Sequence, residues 1–363
     1  MNKIIGAVFL LSAAILPVAF AHASVPLPII EQAAGTRSLA PILKKVTPAI
    51  VSISIKTHPV AEAGAQKRAN RRAEVPAADH AHASGSGVVL DAREGLIITN
   101  NHVIEHADEI TVKLSDGREL PGKLMGGDAD TDIAVVKVPA ENLASLPVGD
   151  ASKLEVGDFV LAIGNPFQIG QTASSGIISG LHRNNIGIEE YENFIQTDAA
   201  IYPGDSGGAL VNLDGELIGI NTAFMGAPNT NPGMGFAIPI DMVRTVVDRI
   251  VETGDLRRGR VGITFEDPSP SLVREFKLPV SAAQTTPVIT RVEPGSPADR
   301  AGVKVGDVVT ELGGKPVLNT NDLRLRLGLM WVGDIADFTV TRSGKPQALH
   351  VAIADSEQRP RVK

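Results

Sequence analysis

Short apolar runs separated by turns dominate the chain from residue 49 to residue 238. Residues 49–55 give the first of these runs, in which serine and isoleucine alternate over 52–55, and the later runs are bounded by turns that contain Gly, Asp and Asn. Many short strands at regular spacing, with no long helix between them, indicate an all-β barrel or sandwich. The run is too long for one small barrel, and it divides near residues 139–155. The predicted strands are 49–55, 85–90, 96–99, 109–114, 119–125, 133–138, 159–163, 172–179, 194–197, 209–211, 216–222 and 235–238.

Helical patterns flank this β-rich region. Residues 38–45 predict a short helix, since a Thr-Pro pair follows them and disfavours its continuation. Residues 241–253 carry apolar side chains at helical spacing and stop at Gly254. We therefore expect a first folded unit at 38–253, a polar linker at 254–258 and a second module at 259–354.

Composition places the chain among ordinary globular proteins. Its 363 residues are enough for two or three domains, with 43% hydrophobic and 21% charged residues. The net charge of −7 argues against binding to nucleic acid, because no basic excess is available to neutralise phosphates. Cysteine is absent, which excludes disulfides and a thiol nucleophile.

The N-terminal segment has the features of an export signal. Lys3 precedes an apolar run, 4–20, and Ala21-His22-Ala23 supplies the small residues that a signal peptidase requires. We expect cleavage after Ala23, which makes 1–23 a signal peptide and 24–37 a flexible lead-in to a protein that lies outside the cytoplasm. The alternative is that the segment is retained as an inner-membrane anchor, although it is short for a span and contains a proline.

A long polar segment, 57–84, interrupts the β pattern and predicts a mobile surface insertion. It contains His80 and His82, which are a weak indication of metal binding, and we expect neither a metal site nor a cofactor. The last residues, 355–363, are polar and predict a frayed tail.

A Gly-rich segment supplies a candidate nucleophile. It reads Gly204-Asp205-Ser206-Gly207-Gly208. A serine hydroxyl needs a base to take its proton and donors to stabilise the resulting oxyanion. Flanking glycines allow the backbone to turn sharply enough to present its N–H groups. Without a base and an acid elsewhere, the same residues would be only a turn between strands.

His102 is the histidine best placed to be that base, because it directly follows a strongly apolar strand. It also begins an H-x-x-E-H pattern that ends at His106 and is typical of one class of zinc peptidase. That motif requires a long helix presenting both imidazoles, whereas the flanking residues here are strand-like.

Asp132 is the candidate acid that would orient the histidine. It opens an apolar strand and follows Asp128 and Asp130, so a calcium loop is the alternative. A calcium loop needs Gly at its sixth position and Glu at its twelfth, where this chain has Ile133 and Pro139. A buried Asp132 would fix the tautomer of the imidazole and stabilise the imidazolium.

These residues occur in the order His, Asp, Ser, as in chymotrypsin-type enzymes. Together with several sequence motifs that surround them, these residues make the chain from 38 to 354 resemble the HtrA (Deg) family of serine proteases. The motifs are Thr99-Asn100-Asn101-His102-Val103, Thr131-Asp132-Ile133-Ala134-Val135, Ala162-Ile163-Gly164-Asn165-Pro166, Gln196-Thr197-Asp198-Ala199-Ala200 and Gly235-Phe236-Ala237-Ile238-Pro239. The resemblance implies a mainly β chymotrypsin-like double barrel followed by one PDZ domain.

The resemblance also implies the roles of the site residues. Ser206 would be the nucleophile, His102 the general base and then acid, and Asp132 the residue that orients it. The N–H groups of Gly204, Asp205 and Ser206 would form the oxyanion hole. The family more often has Asn before the serine, and the carboxylate of Asp205 needs a donor or cation as its partner, for which Arg183 is one candidate.

Substrate specificity and regulation follow by the same resemblance. Ile201, Met225 and Met234 would line an apolar S1 pocket, which predicts cleavage after small or medium aliphatic residues. Arg183 resembles the sensor-loop arginine that couples the accessory domain to the active site. In the second module, Arg260-Val261-Gly262-Ile263 would capture the carboxylate of a peptide C-terminus.

The predicted function is therefore ATP-independent proteolysis in the bacterial cell envelope, with unfolded or regulatory proteins as substrates. The family expectation for assembly is a homotrimer or a multiple of trimers. Two alternatives remain: a holdase chaperone or PDZ binding protein with little proteolysis, and a membrane-anchored protease that cuts one regulatory protein.

Overall fold

A computed structural model of the chain describes residues 38–57, 83–165, 170–184, 186–225, 233–254, 258–276 and 286–355. The predicted signal peptide and lead-in, His80 and His82, and the tail beyond residue 355 lie outside these ranges. The described residues from Ile42 onward belong to one compact unit.

Six antiparallel strands form the first closed barrel: β1 (Ile50–Lys56), β2 (Ala83–Asp91), β3 (Leu96–Thr99), β4 (Glu109–Lys113), β5 (Glu119–Asp128) and β6 (Ile133–Lys137). They close in the order β1-β2-β3-β6-β5-β4. Helix α1 (Ala40–Val46) precedes the barrel, and a single helical turn, α2 (Asn101–Ile104), follows β3. Fully buried β-branched side chains such as Ile50, Ile97 and Val135 form its core.

The second barrel repeats this design with β7 (Phe159–Gly164), β8 (Thr172–Arg183), β9 (Phe194–Thr197), β10 (Ala209–Val211), β11 (Leu217–Met225) and β12 (Met234–Pro239). It closes in the order β10-β11-β12-β9-β8-β7. Ile178, Ile195 and Leu210 lie in its core. Helix α3 (Ile240–Thr253) follows, and Gly254 ends it in the left-handed conformation with φ +67°.

The second module is a smaller β-rich domain. Its elements are β13 (Gly259–Arg260), β14 (Ile263–Glu266), α4 (Pro270–Glu275), β15 (Val288–Val292), α5 (Pro297–Arg300), β16 (Val308–Leu312), β17 (Lys315–Pro316), α6 (Thr320–Gly328), β18 (Ile335–Arg342), β19 (Lys345–Ala352) and β20 (Ala354–Asp355). The main sheet runs β14-β15-β16-β18-β19, so β14 is an edge strand. Strand β17 pairs with β16, and β13 pairs with β20.

The expected fold class, two six-stranded barrels followed by one further β-rich domain, is confirmed. Each predicted strand has its counterpart within a few residues, except that β5 extends to Asp128 and β8 to Arg183. Helix α2 was not predicted, because four residues after a strand carry too little periodicity to indicate a helix. Among the described residues, the helices are too short or too polar to cross a bilayer.

Candidate active site

The pairing of β3 with β6 brings His102 and Asp132 together. In this antiparallel register Thr99 lies opposite Ala134, so the residues after β3 meet those before β6. The Asn101 N–H donates to the Asp132 carbonyl at 3.1 Å, and the His102 N–H donates to Asp132 Oδ1 at 2.9 Å. These two hydrogen bonds hold together residues that lie thirty positions apart in the sequence.

The two side chains are also in direct contact. His102 Nδ1 lies 2.7 Å from Asp132 Oδ2, and the carboxylate side chain is only 3% exposed. Because a carboxylate can only accept, Nδ1–H donates to Asp132, and the unprotonated Nε2 is left to take up a proton. Asp132 itself has φ +58°, an unusual conformation for a residue with a side chain, and the contacts described above stabilise it there.

Thr222 on β11 is a third member of this group, and sequence motifs did not indicate it. Its Oγ1 donates to Asp132 Oδ2 at 2.8 Å. Because Asp132 belongs to the first barrel and Thr222 to the second, this hydrogen bond joins the two barrels at the site. Only the register of β11 reveals it, since a threonine inside a strand is common.

The hydroxyl of Ser206 lies beside the same strand. It donates to the Thr222 carbonyl at 3.2 Å, and the described residues show no hydrogen bond between it and His102. In a protease without substrate this bond is often unformed, and a rotation about χ1 of the serine would be needed to make it.

The backbone around Ser206 forms a tight turn. Gly204 and Gly207 have φ values of +96° and +84°, which glycine adopts without strain. The Asp205 N–H donates to the Tyr202 carbonyl at 2.9 Å, so this predicted oxyanion donor is occupied in the structure. The N–H groups of Gly204 and Ser206, in contrast, have no acceptor among the described residues.

The carboxyl group of Asp205 is held inside this turn. Its Oδ2 accepts from the Tyr202 N–H at 2.9 Å, and its Oδ1 accepts from Thr172 Oγ1 at 3.0 Å. Burial raises the pKa of Asp205, and these two hydrogen bonds oppose that rise. Arg183 is not its partner, because Arg183 Nε donates to Gln196 Oε1 at 2.8 Å.

The residues predicted to line S1 lie around the end of the β11–β12 hairpin. Met225 and Met234 are directly opposite each other and remain 44% and 41% exposed. Ile201 is buried, and it lies so close to Gly235 that a Cβ there would come within 2.8 Å of its Cδ1. All three side chains predicted to line S1 are therefore apolar and lie near this end of the second barrel.

His106 is separated from His102 by the end of helix α2 at Ile104. Its side chain is 76% exposed and its φ is +61°. The long helix that the zinc-peptidase pattern requires is thus absent from the described residues 83–165.

In the second module, Arg260-Val261-Gly262-Ile263 turns from β13 into the edge strand β14. Gly262 has φ +80°, and a Cβ there would lie 2.3 Å from Ser296 Cβ. The carbonyls of Val261 and Gly262 accept from Ala298 and Glu293 N–H groups at 3.0 and 2.9 Å. The turn is therefore anchored through its carbonyl groups.

Comparisons with known proteins agree with this geometry. Residues 85–220 match a trypsin-like peptidase domain and residues 288–325 match a PDZ domain. The chain is 41% identical over 342 residues to the periplasmic pH-dependent serine endoprotease DegQ of Escherichia coli, covering 93% of this chain and 74% of DegQ. It is 45% identical over 277 residues to the periplasmic serine endoprotease DegP of Salmonella typhimurium, covering 76% of this chain and 58% of DegP.

The chain is also similar to solved structures of HtrA-type proteases. The HtrA-type protease AlgW with a tripeptide aligns with a TM-score of 0.71 at 35% identity, covering 87% of this chain and 97% of AlgW. AlgW with a decapeptide aligns with a TM-score of 0.67 at 33% identity, covering 89% and 99% of the two chains.

Proposed function

Because the chain belongs to the HtrA (Deg) family of serine endoproteases, we propose that Ser206, His102 and Asp132 are its catalytic triad. The observation that carries this proposal is the His102 Nδ1–Asp132 Oδ2 contact of 2.7 Å beside the Ser206 turn. The Asp132 carboxylate stabilises the charge that His102 gains when it takes the proton of Ser206.

The proposed reaction is acyl transfer in two steps. Ser206 Oγ attacks the scissile carbonyl carbon while its proton moves to His102 Nε2. The tetrahedral intermediate collapses, and the leaving amine takes the proton from His102. Water then gives a proton to His102 Nε2 as its oxygen attacks the acyl carbon. The bond from that carbon to Ser206 Oγ breaks, the new carboxyl terminus leaves, and His102 returns the proton to Ser206 Oγ.

We propose that the Gly204 and Ser206 N–H groups stabilise the oxyanion. Both lack an acceptor among the described residues, whereas the Asp205 N–H is bound to Tyr202. Backbone donors held in place before the reaction need no reorganisation as charge develops on the substrate oxygen.

The S1 pocket is proposed to consist of Ile201, Met225 and Met234. Apolar side chains there favour a small or medium aliphatic P1 residue, because they offer no partner for a charged one. Unfolded proteins are the proposed substrates, since their aliphatic residues are accessible to the site.

Active-site variants test the triad and the specificity together. Ser206→Ala and His102→Ala are expected to abolish casein turnover, and His106→Ala is the matched control because that exposed histidine lies four residues away. Mass spectrometry of the fragments from the active enzyme should show cleavage after Val or Ala. Full activity in Ser206→Ala, or inhibition by chelators and not by fluorophosphonates, would contradict the protease mechanism. Inhibition by chelators would revive the zinc alternative, whereas a wild-type protein that turns over no casein would favour the holdase.

The PDZ domain is proposed to bind peptide C-termini at Arg260-Val261-Gly262-Ile263. An extended peptide can add to the open edge of β14 while backbone N–H groups of the turn hold its carboxylate. A labelled peptide with a free C-terminus should bind measurably more tightly than the same peptide with a C-terminal amide. Equal binding of the two would exclude carboxylate capture.

Regulation, assembly and location are proposed from the relatives. Arg183, whose guanidinium lies over Gly180 and donates to Gln196, is the proposed sensor residue. We propose a periplasmic protein that assembles as a trimer or a multiple of trimers. N-terminal sequencing of the native protein separates a cleaved signal peptide from a retained anchor, and its molar mass in solution tests the trimer.

A further inference from the structure

Ser86, on strand β2 of the first barrel, is in direct contact with residues 204–208, the turn that carries Ser206 (the nucleophile turn). It is fully buried, and its N–H donates to the Ser206 carbonyl at 2.8 Å. A Cβ on Gly207 would come within 2.1 Å of the Ser86 carbonyl oxygen. The strand and the turn therefore meet backbone to backbone, with no space for an intervening side chain.

The Ser86 hydroxyl makes two further hydrogen bonds on the other side of Ser206. It donates to the Gly204 carbonyl at 2.7 Å and accepts from the Asn165 N–H at 2.7 Å. A hydroxyl has one proton to donate, and this one is used on Gly204. Ser86 thus connects the first barrel, the end of β7 and both flanks of the nucleophile.

The Gly204 carbonyl shares a planar peptide unit with the Asp205 N–H. Ser86 holds one end of that unit, and the Tyr202 carbonyl holds the other through the Asp205 N–H. Because this peptide plane is held at both ends, it restricts the two neighbouring peptide units, which carry the Gly204 and Ser206 N–H groups.

We propose that Ser86 is a positioning residue for the oxyanion hole. It has no contact with substrate in this role and acts through the Gly204 carbonyl. This inference rests on the proposed function, because it requires Ser206 as the nucleophile and the flanking N–H groups as donors.

Loss of the hydroxyl has a defined consequence. In Ser86→Ala, the buried Asn165 N–H and the half-buried Gly204 carbonyl lose their partner, and polar groups removed from water without a partner are costly. The turn relaxes to satisfy them, and the oxyanion donors move. Because those donors act in the transition state, the loss falls on kcat.

Ser52 offers a matched control. It lies directly opposite Ser86 in the β1–β2 register and is only 1% exposed. Its hydroxyl has no hydrogen-bond partner among the described residues. Ser52→Ala therefore deletes the same atom from the neighbouring strand of the same barrel without touching the nucleophile turn.

The test is steady-state kinetics of the full chain on a peptide substrate with a P1 valine. We expect Ser86→Ala to lower kcat by about 10- to 100-fold with KM nearly unchanged, since small displacements of reacting groups have effects of this size. Ser52→Ala should keep both parameters. A peptide boronate, whose tetrahedral adduct occupies the oxyanion hole, should lose affinity for Ser86→Ala in parallel with kcat/KM.

A kcat for Ser86→Ala equal to that of Ser52→Ala overturns the proposal, and so does a loss confined to KM. If circular dichroism shows that Ser86→Ala is unfolded, Ser86→Cys replaces it, because the thiol fills the site but donates weakly. An unchanged kcat in Ser86→Cys would then refute the role. Activity remaining in Ser206→Ala would refute the proposed mechanism instead, so the two failures are distinguishable.

Discussion

At the scale of single residues, the Asp205 carboxyl group couples the stability of the nucleophile turn to pH. Burial raises its pKa above the usual 3.8, so the folded protein binds this proton more tightly than the unfolded chain does. The stabilising effect of that proton is complete below the unfolded pKa and disappears as pH rises through the folded pKa. The contribution of Asp205 to the free energy of unfolding is therefore less favourable at neutral pH than in acid.

Asp205→Asn is expected to remove this penalty. The amide oxygen can accept from the Tyr202 N–H, and the amide N–H₂ can donate to Thr172 Oγ1, so the contacts of the turn are kept. Urea unfolding of both proteins from about pH 4 to pH 8 measures the difference, a range that starts near the ordinary pKa of Asp. The variant should gain stability relative to the wild type as pH rises. A difference that does not change with pH would show that Asp205 does not titrate in this range.

The element scale shows what the sequence could and could not predict. The strands were predictable because alternating and apolar runs between turns report which face of a strand is buried. His102 and Asp132 could be selected because each adjoins such a run, at the end of β3 and the start of β6. Helix α2 is too short to produce a periodic signal, although it carries His102.

Residues whose role depends on strand register were not predictable. Thr222 and Ser86 are ordinary strand residues in sequence, and their importance comes from which atoms the closed barrels place opposite them. The same limit applies to Arg183 as a partner for Asp205. Its charge suited a carboxylate, but the pairing of β8 with β9 places Gln196 beside it. Residue type and order identify candidate chemistry, whereas contacts between distant strands require the fold.

At the scale of the whole molecule, Arg258 joins the protease domain to the PDZ domain. Its guanidinium forms an ion pair with Asp128 at the end of β5 and lies over the Tyr191 ring at 4.5 Å. It also donates to the Gly328 carbonyl at the end of α6. The Arg258 and Asp128 side chains are 13% and 6% exposed, so both charges are largely removed from water. Burial raises the pKa of Asp128, and Arg258 opposes that rise.

Arg258→Met is expected to destabilise the protein by about 3–5 kcal/mol at neutral pH, because it leaves a buried carboxylate without its cation. Without Arg258 the pKa of Asp128 in the folded protein rises further. The variant is therefore destabilised most at neutral pH and least in acid, where the carboxyl group is protonated in both the folded and the unfolded protein. The deficit in the free energy of unfolding should therefore shrink as pH falls toward about 4, near the ordinary pKa of Asp.

The double variant Arg258→Met/Asp128→Leu is the control, since replacing both charges with apolar groups restores much of the loss. Urea titrations of the three proteins across this pH range measure the effect. A deficit that is equal at all pH values, or that the double variant leaves unchanged, would mean that packing of Arg258 on Tyr191, and not the ion pair, holds the two domains together.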